Sequence, residues 1–398
     1  MLHVVTKEEA IAIIREKTAC LSAQTERLPL ADAAGRILAA DLIAGEDIPA
    51  FDRSTVDGYA VIAADTFGAG AAIPAQLDTV GEILMGEAAE TALRRGQCVR
   101  ISTGGMLPPG ADAAVMVEQT EQAEGLCLVY KSVAPFENVT RKGDDLARGD
   151  AVLKKGTLLG AAQIGVLAAL GAREVDVFRR PVIAIISTGD EITDGTPGPG
   201  QIRDINSYLL AAAAREAGCE ARMYGVVHDR SAEIETAVRD CLRDADAVLL
   251  SGGSSAGARD LTVQIIDALG EVFFHGIAMK PGKPTIFGMI EGKPVFGLPG
   301  HPLAAYFVFR LIVADYLKAC LRQPGDAPIH AGPLAVNIPS NHGRTEFLCV
   351  KIGSGGEVTP VHTKSGVISV LSASEGFIEI PRDAEGLAQG TIVKVYRL

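Results

Sequence analysis

Residues 181–192 read Pro-Val-Ile-Ala-Ile-Ile-Ser-Thr-Gly-Asp-Glu-Ile, and the fold class turns on this stretch. A proline and then five apolar residues, several of them β-branched, begin it as a buried strand begins. The run gives way to Ser187, Thr188 and Gly189 and then to two adjacent carboxylates, Asp190 and Glu191. Strand and helix alternate from there. Val182–Ile186 reads as a strand, Asn206–Ala217 as a helix closed by Gly218, and Ala221–Val227 as a strand. Ser231–Arg243 reads as a helix with Ser231 as N-cap, Ala247–Leu250 as a strand, and Leu261–Leu269 as a helix that Asp260 most simply caps. Pro294–Leu298 is a strand, and Pro302 begins a long apolar helix to Leu321. Alternation of this kind over 179–325 predicts an α/β domain with a mainly parallel sheet.

The flanks differ in character. Residues 1–45 read as helical, with loops; Thr6 and Glu9 have capping-box spacing ahead of Ala10, Ile13 and Ile14. Over 46–145, short β-like runs alternate with Gly and Pro: Tyr59–Ile62, Gln97–Ser102, Ala113–Glu118 and Leu126–Tyr130. A small β-rich domain is expected there. Residues 146–178 return to helix, with Ala161–Leu170 stopped by Gly171. Residues 326–398 hold short strands only, Leu334–Ile338, Glu346–Ile352, Gly376–Ile380 and Ile392–Tyr396, which fit a small β-barrel or open sheet.

Composition narrows the function. The chain has 398 residues, so more than one domain is expected. Apolar residues make up 48% and aromatic ones 5%, with no Trp, so the core is mostly aliphatic. A net charge of −12 argues against a general nucleic-acid or membrane-surface role and requires local basic residues to hold any anionic ligand. The seven cysteines are scattered without a CxxC pair, which speaks against a zinc site or disulfide framework. No apolar run of about 18 residues exists, so no membrane span is expected. A reducing cytoplasm fits these features.

Three of the expected strands end alike. One runs into Ser187-Thr-Gly-Asp-Glu191, one into Ser251-Gly-Gly-Ser-Ser-Ala-Gly257 and then Asp260, and one into Pro299-Gly-His-Pro302. Neighbouring parallel strands end on one side, where ligands bind, so a single rim would gather glycine loops, hydroxyls and carboxylates. Glycines let backbone N–H groups approach an anion, and following helix N-termini add positive dipole ends. The stretch 279–288, MKPGKPTIFG, sets Lys280 and Lys283 about a Pro-Gly turn stiffened by Pro281 and Pro284. That suits a polyanion such as a phosphate-bearing ligand; the simpler alternative is a hairpin with solvated lysines. Of Asp190 and Glu191, both can cap the next turn, or one can cap while the other binds a divalent cation. A second cluster lies in the β-rich region: Asp52 and Asp57 about Ser54 and Thr55, Thr103 before a Gly-Gly turn, and Arg141 and Lys142 before Asp144 and Asp145.

Taken together these segments resemble the molybdopterin molybdenumtransferase family, which includes the E domain of gephyrin. The resemblance runs the length of the chain through FDRSTVDGYAV (51–61), RISTGGMLPPGADAAVM (100–116), RKGDDLARGD (141–150), STGDEI (187–192), INSYLL (205–210), LSGGSSAGARD (250–260), MKPGKPTIFG and GLPGHP (297–302). It implies an α/β multidomain subunit of four parts: a helical base (1–45 and 146–178), an inserted β-rich domain (46–145), a three-layer molybdopterin-binding α/β domain (179–325) and a C-terminal β-barrel (326–398). It further implies a homodimer with the site between subunits, and as partners a molybdopterin adenylyltransferase and molybdoenzyme acceptors. The implied reaction places molybdate on adenylylated molybdopterin with Mg²⁺ and releases AMP.

The positions matching the family's functional residues are Asp57, Thr103, Asp145, Glu191, Asp260, Lys280 and Lys283, with Arg344, Ser365 and Ser369 as C-terminal matches. The resemblance implies catalytic roles for Asp57, Thr103, Glu191, Lys280 and Lys283, and Mg²⁺ ligands among Glu191, Asp57 and Asp260. Substrate contacts fall to Asp145, Ser187, Thr188, Gly189, Gly252, Gly253, Ser254, Asp260, Pro299, Gly300, Arg344 and Ser369. The chain departs from the family pattern at Arg53 (usually Asn), Thr140 (usually Arg, here followed by Arg141), Arg230 (usually the second Asp of a pair) and His301 (usually Asn). Two other functions compete: a non-catalytic molybdopterin-binding or scaffold protein, and a molybdopterin adenylyltransferase, which resembles residues 179–325 alone.

Overall fold

Val182–Thr188 forms a strand in which every residue is buried, and its side chains alternate between two cores. Ile183 and Ile185 join the cluster built with Leu210, Phe296, Phe307 and Ile312; Val182, Ala184 and Ile186 join the cluster with Ile234, Val238 and Ile265. Side chains of a strand point alternately to opposite faces, so a strand apolar at every position needs a layer of helices on each side. Burying one such isoleucine contributes roughly 1.5–3 kcal/mol.

The computed structural model describes residues 4–18, 24–90, 92–252, 256–321, 323, 325–361 and 366–398, with backbone alone over 256–260. The chain forms two compact units: 27–34 with 38–177, and 1–26 with 35–37 and 178–398. Helix α1 (Lys7–Lys17) of the latter unit starts with the expected reciprocal cap, Thr6 Oγ1 accepting from the Glu9 N–H and Glu9 Oε2 from the Thr6 N–H.

The unit built on 38–177 holds a six-stranded sheet of β1 (Gly58–Val61), β2 (Ala75–Ile83), β3 (Gln97–Ile101), β4 (Ala113–Met116), β5 (Thr120–Ala123) and β6 (Leu126–Val129), in the order β4-β1-β3-β2-β6-β5. Tyr59, Val61, Cys98, Val115, Cys127 and Val129 fill one core of it. Helix α2 (Ala161–Ala169) ends before Gly171, whose φ of +74° only glycine adopts cheaply. Residues 25–29 and 42–43 are strands, so helix in the first 45 residues is confined to α1 and one 3₁₀ turn among the described residues.

The other unit carries the strand–helix alternation. Its strands are β7 (Val182–Thr188), β8 (Glu220–Val227), β9 (Ala247–Gly252), β10 (Gly270–His275), β11 (Met279–Lys280), β12 (Ile286–Ile290) and β13 (Lys293–Leu298). The sheet order is β8-β7-β9-β13-β12-β10. The first four strands are mutually parallel, and β12 and β10 add an antiparallel edge. Helices α3 (Asn206–Glu216), α4 (Ser231–Asp244), α5 (Ala256–Leu269), α6 (Pro302–Val308) and α7 (Ala314–Cys320) cover it, with α3, α6 and α7 on one face and α4 and α5 on the other. The α6–α7 helix passes through a π turn at Phe309–Val313.

Two expected caps are corrected. Arg230 stands at the N-cap of α4 and Ser231 is its first helical residue. Helix α5 begins at Ala256, so Asp260 lies within it and not at its N-cap position.

The C-terminal strands are β14 (His330–Pro333), β15 (Thr345–Ile352), β16 (Val358–Pro360), β17 (Gly376–Ile380) and β18 (Ile392–Val395). β15 pairs with β16 and β17, and β14 with β18. Bridges Phe377–Tyr396 and Leu334–Val358 close these into a ring about Val350, Ile378, Ile380 and Val395. β11 extends it by parallel pairing with β15.

Candidate active site

The parallel strands place the first feature. β7 leads to β8 on one side, while β9 lies on the other, so the strand order switches direction between β7 and β9. At that point Thr188 and Gly252 are direct partners. A Cβ on Gly252 would stand 2.0 Å from the Thr188 carbonyl oxygen, and its φ is +156°, so only glycine fits. Beyond β7, Gly189 has a φ of +150° and folds the chain back so that the Glu191 carboxylate lies against it.

A buried polar network ties the three strand ends together. The amide of Asn206, first residue of α3, donates to Ser251 Oγ at 2.8 Å and to the Gly300 carbonyl at 2.9 Å. Ser187 Oγ donates to Asp204 Oδ1 at 2.8 Å and lies 2.9 Å from Ser207 Oγ. Ser187, Thr188 and Ser251 are buried, so the Ser187 and Ser251 hydroxyls serve partners inside the protein and fix the shape of the rim.

Acidic groups gather outside β7 and β8. Asp190 Oδ1 accepts from the Asp229 N–H at 3.3 Å and lies 3.1 Å from His228 Nδ1. Glu191 is exposed, and its backbone carbonyl accepts from the Ile202 N–H. Asp229, noticed in the sequence only beside a departure, is the residue this corner adds. Burial, and then the charges of Glu191 and Asp190, raise its carboxyl above the ordinary 3.8. Its Oδ1 is buried with no hydrogen-bond partner among the described residues.

The second feature is a cavity of about 840 Å³ whose wall includes Lys280, Lys283, Pro299, His301, Arg344 and Glu346. Pro299 and His301 belong to the loop after β13, so this cavity abuts the rim. The lysines are exposed, as the simpler alternative has it, but they do not sit on a hairpin, since β11 pairs with β15 and not with β12. Lys280 lies in β11 with its Nζ 2.7 Å from Glu346 Oε1, and the turn after it leads into β12. Lys283 and Arg344 carry no salt bridge among the described residues. The apolar wall includes Phe307, Ile338 and Phe347.

The remaining expected residues fall as follows. Ser369 opens a short helix, Ser369–Ala373, and is absent from the cavity wall, to which Gly366 and Val361 belong. Gly253, Ser254 and Ser365 lie outside the described residues, as does the side chain of Asp260.

Asp57, Thr103 and Asp145 belong to the other unit. There Asp57 Oδ1 accepts from the Thr103 N–H at 2.8 Å, bringing two of the expected residues together. Asp145 is exposed, and its N–H donates to the Ile48 carbonyl. Much of the acid density here serves loop backbone: Asp52 accepts from the Lys142 N–H, Asp144 from the Arg141 N–H, and Asp47 from the Arg148 N–H. Arg53 and Thr140, two of the positions that depart from the family pattern, are direct partners across an antiparallel pair. An arginine thus stands at this spot on the opposite strand.

Comparison with known proteins fits this geometry. Residues 5–171 match the MoeA N-terminal region (domain I and II), 184–319 a probable molybdopterin binding domain, and 331–398 the MoeA C-terminal region (domain IV). The molybdopterin molybdenumtransferase of Staphylococcus epidermidis is 33% identical over 380 residues, 92% of this chain and 89% of that protein. The chain belongs to the molybdopterin molybdenumtransferase family. Two solved structures of the molybdopterin biosynthesis MoeA protein from Pyrococcus horikoshii are also similar. They are 40% and 31% identical, with TM-scores of 0.87 and 0.86, and cover 99% of this chain and 99% and 100% of theirs. In this molybdenumtransferase-family chain no described helix is long and apolar enough to cross a membrane.

Proposed function

We propose that the protein is a molybdopterin molybdenumtransferase of molybdenum cofactor biosynthesis, acting on adenylylated molybdopterin and molybdate. The observation that carries this reading is the convergence of Lys280, Lys283 and Arg344 on one cavity that abuts the glycine-shaped strand ends. Cations in a partly apolar cavity stabilise anionic oxygens where charge develops. Lys283 and Arg344 hold the anionic groups, and Lys280 donates a directed hydrogen bond. The strand-end glycines bring backbone close to the phosphates.

Mg²⁺ fits the acidic corner. Its hard oxygen donors, Glu191 and Asp229, include one buried oxygen without a hydrogen-bond partner among the described residues, and Mg²⁺ is held by one or two carboxylates plus phosphate oxygens and water. Asp229 in place of Asp57 or Asp260 is therefore the ligand we pair with Glu191. When bound, the ion neutralises charge on the phosphates as the pyrophosphate bond is cleaved. In this reading the enzyme is a cytoplasmic homodimer, with Asp57 and Thr103 of one subunit serving the Glu191 site of the other. Mixed dimers of inactive Asp57→Ala and Glu191→Ala chains should then regain part of the activity.

The test supplies adenylylated molybdopterin, Mg²⁺ and molybdate and measures AMP. Release should depend on both additions and fall by at least about 100-fold in Glu191→Ala. Binding without release would support a scaffold, and product from ATP and molybdopterin would support an adenylyltransferase.

A further inference from the structure

We propose that Glu346 is a positioning residue for the transfer: it fixes the Lys280 ammonium at one point of the cavity wall. The inference rests on the reading of Lys280 as a substrate-binding cation given above. Glu346 is held at both ends. Its Oε1 lies 2.7 Å from Lys280 Nζ, and its Oε2 accepts from Ser340 Oγ at 2.8 Å. The backbones are registered as well, Lys280 of β11 standing directly opposite Glu346 of β15. Exposure differs sharply across the pair: the Glu346 side chain is 7% exposed and that of Lys280 48%. The carboxylate is thus the buried back of the wall, and the ammonium its accessible tip.

Physical chemistry gives this pairing a purpose. A lysine ammonium sits on a flexible four-carbon stem, and holding it for a reaction costs rotamer freedom. Glu346 makes that ordering part of the folded protein, before substrate arrives. The pair is neutral as a whole, so net positive charge in the cavity comes from Lys283 and Arg344, while Lys280 offers a hydrogen bond of fixed direction.

The experiment compares steady-state AMP release and thermal stability for Glu346→Gln, Lys280→Ala and the double variant. Glu346→Gln should lower kcat by about tenfold, with KM unchanged or reduced because a negative charge leaves the wall. Its melting temperature should stay close to that of the native protein, as Gln keeps the shape and can still accept from Ser340. The double variant should be no slower than Lys280→Ala alone. A raised KM with kcat unchanged, or a double variant slowed by the product of the two single effects, overturns the proposal. If Glu346→Gln does not fold, Ser340→Ala takes its place: a smaller kcat loss that vanishes in the Lys280→Ala background supports the proposal, and no loss overturns it. Full activity of Lys280→Ala, beside an inactive Glu191→Ala, defeats the role of Lys280 and this inference while leaving the transferase reading intact. Absence of AMP release from the native enzyme defeats both.

Discussion

The Asn206 amide nitrogen reaches two strand-end segments at once, Ser251 Oγ at 2.8 Å and the Gly300 carbonyl at 2.9 Å. Ser251 lies at the end of β9 just before Gly252 and Gly300 just past β13, and Ser251 has no solvent to turn to. Asn206→Ala should cost about 1–3 kcal/mol, the penalty for stranding buried polar groups, read from urea denaturation. Asn206→Asp keeps the volume but aims a carboxylate at the Gly300 carbonyl, so it should cost at least as much. An Asp variant as stable as the native protein would rule out the donor role.

Gly252→Ala tests the switch point. The added methyl meets the Thr188 carbonyl oxygen at 2.0 Å, a backbone atom that cannot swing aside. The strand end must shift, and we expect a destabilisation of about 2 kcal/mol or more with weakened substrate binding. Gly200→Ala is the control. Its φ is +83° but nothing stands within 4 Å of the added Cβ, so only the backbone term remains.

Asp229 gives the acidic corner a pH signature. Its carboxyl is raised by burial and by Glu191 and Asp190, so the folded chain holds the proton more tightly than the unfolded chain does. Ionisation therefore removes stability as pH rises from 3.8 through the raised value. Without added metal, Asp229→Asn should be more stable than the native protein at neutral pH, and the gap should close on acidification. Thermal melts across pH check this. Repeating them with Mg²⁺ should raise the native melting temperature more than that of the variant.

Arg53 and Thr140 face each other across two short strands. Thr140→Arg alone sets two guanidinium groups opposite one another and should destabilise by about 0.2–1 kcal/mol. Arg53→Asn combined with Thr140→Arg restores a single arginine at this spot and should recover both stability and AMP release. If the double variant is slower than Arg53→Asn alone, the arginine is not exchangeable between strands.

Much of this was legible in the sequence because local pattern and tertiary structure agree. The apolar run of β7, the helix of Asn206 with Gly218 beyond it, and the short strands ending at Ile101 and Ile380 emerge close to where periodicity sets them. β2 escaped because Ala75–Ile83 mixes charged and small residues with few large aliphatics. The edge strand β10 follows α5 without an intervening residue, so no turn signal separates them. Gly252–Asp260 reads as a glycine loop because glycine and serine are poor helix formers, yet helix begins at Ala256.

Within the site, Lys280 and Lys283 stand out in sequence because a Pro-Gly turn stiffens them. Glu346 does not, since its meaning depends on a register between β11 and β15 that no local pattern encodes. Asp229 stayed hidden for a similar reason. Its unusual carboxyl comes from burial first and then from the charges of Glu191 and Asp190 on a different strand end.

The pairing of β11 with β15 also bears on how this protein can be divided. Strand β11 lies among the elements of the α/β sheet, yet its partner belongs to the C-terminal region, and Ile338, Arg344 and Glu346 supply the cavity's far wall. A gene fragment ending near residue 325 would encode an intact sheet with half a pocket, and Lys280 would lose its counter-ion. Truncation at that seam would leave the α/β sheet its own strands and take away half of the cavity wall, so the lysines and the C-terminal region make one working part.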